Sequence, residues 1–476
     1  MDNVTRIRRS RKVMLALAAT AAVLLAIGYI TNIFDFADNV NRVLGREGKP
    51  STGENIKRLE EKVERRPEYL ADLPETQNET LRIAYEEARV LQLEGYQAGN
   101  AEKHEEAVDR FTRALGLAEN DAEMAALYIL RGNSYLSIGE DGRSISDFYS
   151  ARADYEGALR LADGILADRD AADPRAVALT NLGYIYFFGV REPDKAEECY
   201  QQALETQREI GNRLGEAQAL AGLGNIYFLS ADGLDKAEEY DQQALQIHRE
   251  IGNRLGEARA LANLGTLYFR RDEMENAEEY YQQVLEIHKK IGNRLGEAQA
   301  LRTLGLFYEQ PDHLDKAKDY LKRALKMDRE IGNRRDEAFD LANLGQFYFQ
   351  RGELDEAEEY YEEALETFRE IGWRQREADQ LGNLGNVYLQ RGDLDNAEEH
   401  LQQALEIHRE VGSRSGEADA LSNLGDVYFQ RGDTGKAVEY LQQAQTIYQQ
   451  IGFGQGPGSA EEALEELERR QEQRGE

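Results

Sequence analysis

The sequence predicts an all-α protein: an α-solenoid of about nine helix-turn-helix units, preceded by one transmembrane helix. Three observations predict it. Glycine recurs as Gly183, Gly224, Gly265, Gly305, Gly345, Gly385 and Gly425, at spacings of 41, 41, 40, 40, 40 and 40 residues. Apolar residues between these glycines fall at helical period. A run of 22 uncharged residues lies near the N-terminus. Self-similarity at a fixed period of this size marks units that bury their apolar faces only by stacking on one another.

From the N-terminus, Arg6, Arg8, Arg9, Arg11 and Lys12 precede the apolar run Val13 to Phe34, VMLALAATAAVLLAIGYITNIF. Twenty-two helical residues rise about 33 Å, enough to cross a hydrocarbon core. Asp35, Asp38, Arg42, Arg46, Glu47 and Lys49 follow and are less positive. The positive-inside rule then puts 1–12 in the cytoplasm and the rest of the chain on the extracytoplasmic side, as a single-pass membrane protein. A cleaved signal peptide and a buried soluble helix are the competing readings. The first wants a shorter apolar core with a small-x-small site after it, but Ala16-Leu17-Ala18 and Ala19-Thr20-Ala21 lie inside the run. The second does not usually carry cations immediately upstream. Residues 35–75, with Pro50, Pro67 and Pro74, read as a polar spacer.

From 76 to 455 each unit reads as two helices. In LGEARALANLGTLYFRRDEMENAEEYYQQVLEIHKKIGN, the second helix carries Ala277, Tyr280, Tyr281, Val284 and Leu285, an i, i+3, i+4, i+7, i+8 stripe. The first carries Ala258, Leu261, Ala262, Gly265 and Tyr268 on one side. Paired glutamates such as Glu278 and Glu279 suit the positive end of the second helix and are expected on a solvated face. The stretch IGNRLGEA, at 210–217, 251–258 and 291–298, joins units. Its first glycine suits a left-handed helix stop, and Asn extends the turn. Its arginine recurs as Arg213, Arg254, Arg294, Arg334, Arg374 and Arg414, an expected basic ridge, while Trp373 replaces Asn once as an expected exposed contact. The second glycine is lost in RRDEA and RQREA, which a set of working phosphate cradles would not tolerate. Strands are excluded by the lack of period-2 runs. Residues 456–476 read as a linker and a polar C-terminal capping helix, opened by Ser459 and Glu462 as a capping box.

The charge excludes one class of partner. With 90 Asp+Glu against 58 Lys+Arg and a net charge of −32, the chain lacks the basic surface that nucleic-acid binding needs. The single cysteine, Cys199, forms no intrachain disulfide and sits in a column that is Tyr240, Tyr280, Tyr320, Tyr360 and Tyr440 elsewhere; His400 shares it. Both read as substitutions at a packing position. His248, His288 and His408 share another column, one repeat or more apart, too far to share a metal, and read as repeat-surface residues. Catalytic and metal-binding strings are absent, so no cofactor, metal or catalytic residue is expected.

The string L-G-x-x-Y followed by A-x-x-Y/F-x-x-A-L resembles the tetratricopeptide repeat, with Leu264, Gly265, Tyr268, Ala277, Tyr281 and Val284 as the matches in one unit and Leu304, Gly305, Tyr308, Ala317, Leu321 and Ala324 in the next. The long period, NLG and the IG-x-R junction are similar to the long-helix variant in Pins/LGN proteins and kinesin light chains. The resemblance implies a right-handed superhelical α-solenoid. Its glycine lets two helices approach, and the alanine of the second helix fills the opposite side of the contact.

The resemblance also implies a concave groove lined by first helices. Carried over, its positions are Asn181, Asn263, Asn343, Asn383 and Asn423 two before the glycine, Asn225, Asn386 and Asp426 one after, and Phe269 and Phe349 four after. Arg259, Asp379 and Asp419 fall six before, with Arg302 nearby. Amides both donate to and accept from a peptide backbone, so this ladder suits an extended or helical partner segment. In the long-helix relatives the position six before is often arginine. Here it turns acidic toward the C-terminus, which favours basic or mixed-charge partners. The expected function is a non-catalytic, membrane-anchored scaffold for protein–protein interaction. A peptide-sensing regulator and an accessory or recruiting subunit of an enzyme complex are the alternatives.

Overall fold

The computed structural model describes residues 78–98, 101–140, 145–162, 173–230, 232–309 and 313–451. The expected segments 1–12, 13–34, 35–75 and 456–476 lie outside the described residues. Among the described residues no helix is long and apolar enough to cross a membrane.

The described regular structure is helical, with no strand, and follows the expected hairpin repeat. The first hairpins pair α1 (Glu79–Ala98) with α2 (Ala101–Leu115), α3 (Asp121–Glu140) with α4 (Ile145–Ala162), and α5 (Pro174–Tyr184) with α6 (Pro193–Ile210), where a π-helical turn, Ile185–Gly189, continues α5. Next come α7 (Arg213–Leu229) with α8 (Leu234–Glu250), α9 (Arg254–Arg270) with α10 (Met274–Lys290), and α11 (Arg294–Phe307) with α12 (Leu314–Ile331). The last are α13 (Arg334–Gln350) with α14 (Leu354–Glu370), α15 (Arg374–Arg391) with α16 (Leu394–Glu410), and α17 (Arg414–Arg431) with α18 (Thr434–Gln450). The chain forms two compact units, one ending at Gly296 and the other beginning at Glu297, in the first turn of α11.

Glycine sets the spacing within the described hairpins from α3 onward. A Cβ on Gly265 would lie 2.8 Å from the Tyr281 ring, on Gly345 2.5 Å from the Tyr361 ring, and on Gly385 2.6 Å from Leu401. These are sub-van der Waals approaches, so any larger residue forces the helices apart. The ring or leucine comes nearest to the glycine, and the Ala397 backbone carbonyl lies 3.4 Å from a Cβ built on Gly385. The alanines, Ala277, Ala357 and Ala397, are fully buried. A second contact runs along the hairpins as ring stacks, Tyr268 on Tyr280 at 5.3 Å, Tyr348 on Tyr360 at 5.3 Å and Tyr428 on Tyr440 at 5.4 Å. His400 takes the tyrosine's place against Tyr388 at 5.0 Å. Cys199 packs against the first unit's core, and burial pushes its thiol up to about 11, far from a reactive thiolate at neutral pH.

The junctions carry more structure than a turn needs. Gly332 stops α12 at φ 80°, and the Gly332 and Asn333 amides both donate to the Asp328 carbonyl, at 2.9 and 3.0 Å. This is the left-handed stop that glycine adopts without Cβ strain. The following asparagine does not merely extend the turn; it caps the next helix. Asn212, Asn253 and Asn333 accept from the backbone amides of Gly215, Gly256 and Asp336 at 3.2, 3.0 and 3.2 Å. Trp373 makes no such bond and is half-buried rather than exposed, against Phe339 at 5.5 Å and Phe368 at 6.0 Å.

Two further corrections concern charge. The junction arginines form no free ridge. With a second arginine at the end of the preceding helix, five of the six clamp a glutamate that is nearly out of water: Arg329 and Arg334 hold Glu337 at 2.9 and 2.8 Å, and Arg369 and Arg374 hold Glu377 at 2.8 and 2.7 Å. In the first unit Arg208 and Arg213 do the same to Glu216. Burial alone would raise that carboxyl, but the two arginines outweigh it and hold it below the usual range. The glutamate pairs are not simply solvated either. Glu197 accepts from the Tyr227 hydroxyl at 2.6 Å, and Glu238, Glu358 and Glu398 accept from Tyr268, Tyr388 and Tyr428. Ile251 is 41% exposed, and the buried apolar stripe of α8 ends one turn earlier at Ile247.

One core position breaks the pattern. Asp241 stands in α8 where other hairpins place Tyr200, Tyr281 or Leu401, and it is buried against Gly224. Asn263 donates to it at 3.1 Å, and burial, opposed by that hydrogen bond, pushes its carboxyl up to about 7. An acid raised on folding stabilises the fold fully below its unfolded pKa, and that contribution is lost as the pH rises through the folded value. Asp241→Asn is therefore expected to raise the thermal midpoint more at pH 8 than at pH 6, measured by circular dichroism. An equal gain at both pH values would count against a buried protonated carboxyl.

Candidate functional site

In the first unit, most of the expected groove residues turn inward or toward their neighbours. Asn181 is buried, and its amide donates to Asn133 at 3.2 Å, which also accepts from the Tyr155 hydroxyl at 2.6 Å. Asn181 is therefore an internal hydrogen-bonding residue, not an open groove position. Asn263 donates to the buried Asp241, as above. Asn225, Arg259 and Phe269 are half-buried. Arg259 adds to burial in pushing the neighbouring His288 imidazole down to about 4.

The histidine column is not a surface feature. His248 and His408 are buried, and the second glycine of the junction explains how. A Cβ on Gly256 would lie 2.3 Å from the His248 ring, and one on Gly416 2.3 Å from the His408 ring. The glycine is the hole into which the ring fits. Where the column holds Asp328 or Phe368 instead, the glycine position becomes Asp336 or Arg376. This pairing accounts for the loss of the second glycine in RRDEA and RQREA.

Within the second unit, Arg302 also turns inward. Its side chain is 15% exposed; it donates to Asp328 at 2.7 Å and to Asp340, and lies 3.7 Å from Asp336. Asp328 and Asp340 are fully buried, and burial raises both carboxyls against the pull of Arg302. One guanidinium thus faces three acids in a site closed to water. Asn343 and Phe349 are half-buried on α13.

Five expected residues meet in one place. Asp379, Asn383 and Asn386 of α15 and Asp419 and Asn423 of α17 line a single groove of about 450 Å³. Its remaining lining includes His408 from α16, Tyr448 from α18, and Gly382 and Ser422, none of which the sequence pattern singled out as groove residues. The signal for them was present in the columns: Gly382 and Ser422 occupy the position of Ala262, Arg302 and Ala342, and Tyr448 that of His408. No lysine or arginine is among the lining residues. Arg376 holds one Asp379 oxygen at 3.0 Å, and the Tyr448 hydroxyl donates to Asp419. The His408 Nε2 lies 3.7 Å from the other Asp379 oxygen. Burial lowers the His408 pKa, opposed by Asp379, Asp419 and Glu417. Its Nδ1 and the Ser422 Oγ are buried with no hydrogen-bond partner. Asp426, half-buried beyond the lining on α17, has its carboxyl raised to about 6 by burial. Among the described residues no group of three His, Cys, Asp or Glu side chains could hold a metal ion.

The Arg302 cluster yields a prediction. Arg302→Met would leave three acids facing one another out of water, a change expected to cost about 3–5 kcal/mol of stability. Urea unfolding followed by fluorescence measures it; a loss within error of zero would show that the acids do not depend on the arginine.

The groove and hairpins can be set beside known proteins. A tetratricopeptide repeat family profile matches residues 174–250, 231–290, 256–330 and 376–450, and a second profile of the same description matches 341–371. No curated protein sequence matches the chain. Among solved structures, a signal transduction ATPase with numerous domains from Pyrococcus horikoshii, which has a tetratricopeptide repeat sensor, is 18% identical; the match covers 91% of this chain and 64% of that one, with a TM-score of 0.51. Aspartyl phosphate phosphatase F from Bacillus subtilis is 14% identical over 85% of this chain and 96% of that one, at a TM-score of 0.45. A Rap protein complexed with Competence and Sporulation Factor is 15% identical over 78% of this chain and all of that one, at a TM-score of 0.46. With profile matches running through most of the described hairpins, from α5 to α18, the chain belongs to the tetratricopeptide repeat family.

Proposed function

We propose that this is a non-catalytic interaction protein that takes a partner segment of basic or mixed charge in the groove between α15 and α17. The observation that carries the reading is a groove of about 450 Å³ lined by His408 and Ser422, whose buried Nδ1 and Oγ lack partners. Buried polar atoms left unpaired are costly, and a bound segment that satisfied them would gain that cost back as affinity. Asn386 and Asn423 add amides that donate and accept, and Asp379, one of whose oxygens Arg376 holds, and Asp419 supply carboxylate oxygens. Membership in a repeat family whose arrays bind protein segments supports the same reading. The right-handed superhelical path and the function as a scaffold belong to this proposal. So does a single-pass anchor at 13–34, with 1–12 cytoplasmic and the array extracytoplasmic, which rests on the uncharged run and the cations before it.

The double variant Asp379→Lys with Asp419→Lys is expected to weaken capture of the partner at least tenfold at low salt, where such charges act most strongly. Quantitative pull-down from crosslinked cells measures it, and undiminished capture would reject this groove. Protease added to intact cells should digest the array from outside; digestion from the cytoplasmic side alone would reverse the topology.

A further inference from the structure

Two equivalent places in the second unit differ by one arginine. A shift of 80 residues, two repeats, sets Arg302 on Gly382, Asp328 on His408, Asp336 on Gly416 and Asp340 on Ala420. At the earlier place the Arg302 guanidinium lies between first helices and is bound by the three aspartates. At the later place the helix carries no side chain at that position, and a Cβ on Gly382 would meet nothing within 4 Å. The groove of about 450 Å³ opens there.

The walls of that groove are rich in acceptors. Asp379 keeps one oxygen beyond its contact with Arg376, and Asp419 one beyond its bond from Tyr448. His408 and Ser422 also line the groove, and the His408 Nδ1 and Ser422 Oγ have no hydrogen-bond partner. A ligand that fits must bring donors and positive charge. A guanidinium offers five N–H donors in a fixed plane and is weakly hydrated, so it leaves water more readily than an ammonium.

We infer that the groove receives an arginine side chain from the partner segment, in the place that Arg302 fills within the chain two repeats earlier. This rests on the reading of the groove as a segment-binding site and names the residue that the segment must carry. It also explains why glycine stands at 382: any long side chain on α15 would fill the space itself.

The test uses the full-length chain in detergent and three fluorescent, acetylated and amidated peptides: Ala-Arg-Ala-Arg-Ala and its lysine and citrulline counterparts. Anisotropy at low salt should show the arginine peptide binding at least tenfold more tightly than the citrulline peptide, which keeps the shape and loses the charge, and several-fold more tightly than the lysine peptide. Gly382→Arg, which copies Arg302, should abolish arginine-peptide binding without lowering the thermal midpoint. Ser422→Ala, which copies Ala262 and Ala342 at equivalent positions, should weaken it at least threefold, and it keeps the test valid if Gly382→Arg misfolds. Equal affinity for arginine and citrulline peptides, or no binding by any of the three, overturns the inference. If Gly382→Arg then still displaces the natural partner, the groove stands and only the arginine falls. If folded Gly382→Arg captures the partner undiminished, the groove reading falls with it.

Discussion

The close approach of two helices at one glycine is the constraint from which the remaining structure follows. The ring of Tyr281 or Tyr361, or the side chain of Leu401, lies on a glycine whose Cβ would overlap it. That contact holds the two helices of a hairpin at a fixed separation. It leaves each hairpin with an apolar stripe on its outer side, which only another hairpin can cover. The aromatic stacks and the buried alanines are consequences of that spacing. They need side chains of particular size at particular heights, and the near-constant repeat supplies them.

The joints between hairpins solve a different problem. A helix stop, a helix start and a change of direction must fit within four residues. The left-handed glycine ends one helix, and the asparagine or its substitute begins the next. The glutamate that follows is pulled under two arginines. Because the carboxylate end of each clamp is nearly dry, the arginines are required for it rather than ornamental to it. This accounts for an acidic chain that exposes few unpaired arginines along these joints. The joint also shows how one column constrains another, since a ring at His248 or His408 demands a glycine eight residues later, and an aspartate or phenylalanine releases that demand.

Function in such an array is set by exceptions to the repeat. Arg302 with its three aspartates closes one interhelix space with an internal charge cluster. Gly382, His408 and Ser422 leave the equivalent space open and lined with acceptors. The two places lie at equivalent positions of the repeat, so the difference between a filled joint and an open groove comes from a few side chains.

The helical hairpins, their period and their glycine punctuation were legible in the sequence, because they follow from local periodicity and from residue types with narrow conformational roles. The groove was partly legible: Asp379, Asn383, Asn386, Asp419 and Asn423 stand on the first-helix positions that repeat numbering picks out. Numbering could not tell Asn181 or Arg302, which turn inward, from their counterparts that line open space. Nor could it show that His408 is buried under Gly416, or that the arginine column is spent on Glu216, Glu337 and Glu377. Sequence alone determined which residues share a register; only the tertiary structure decided which of them face a partner across the chain and which face solvent. The reason is physical: a register follows from the pitch of one helix, whereas burial and pairing depend on what the neighbouring helices bring to within a few ångströms.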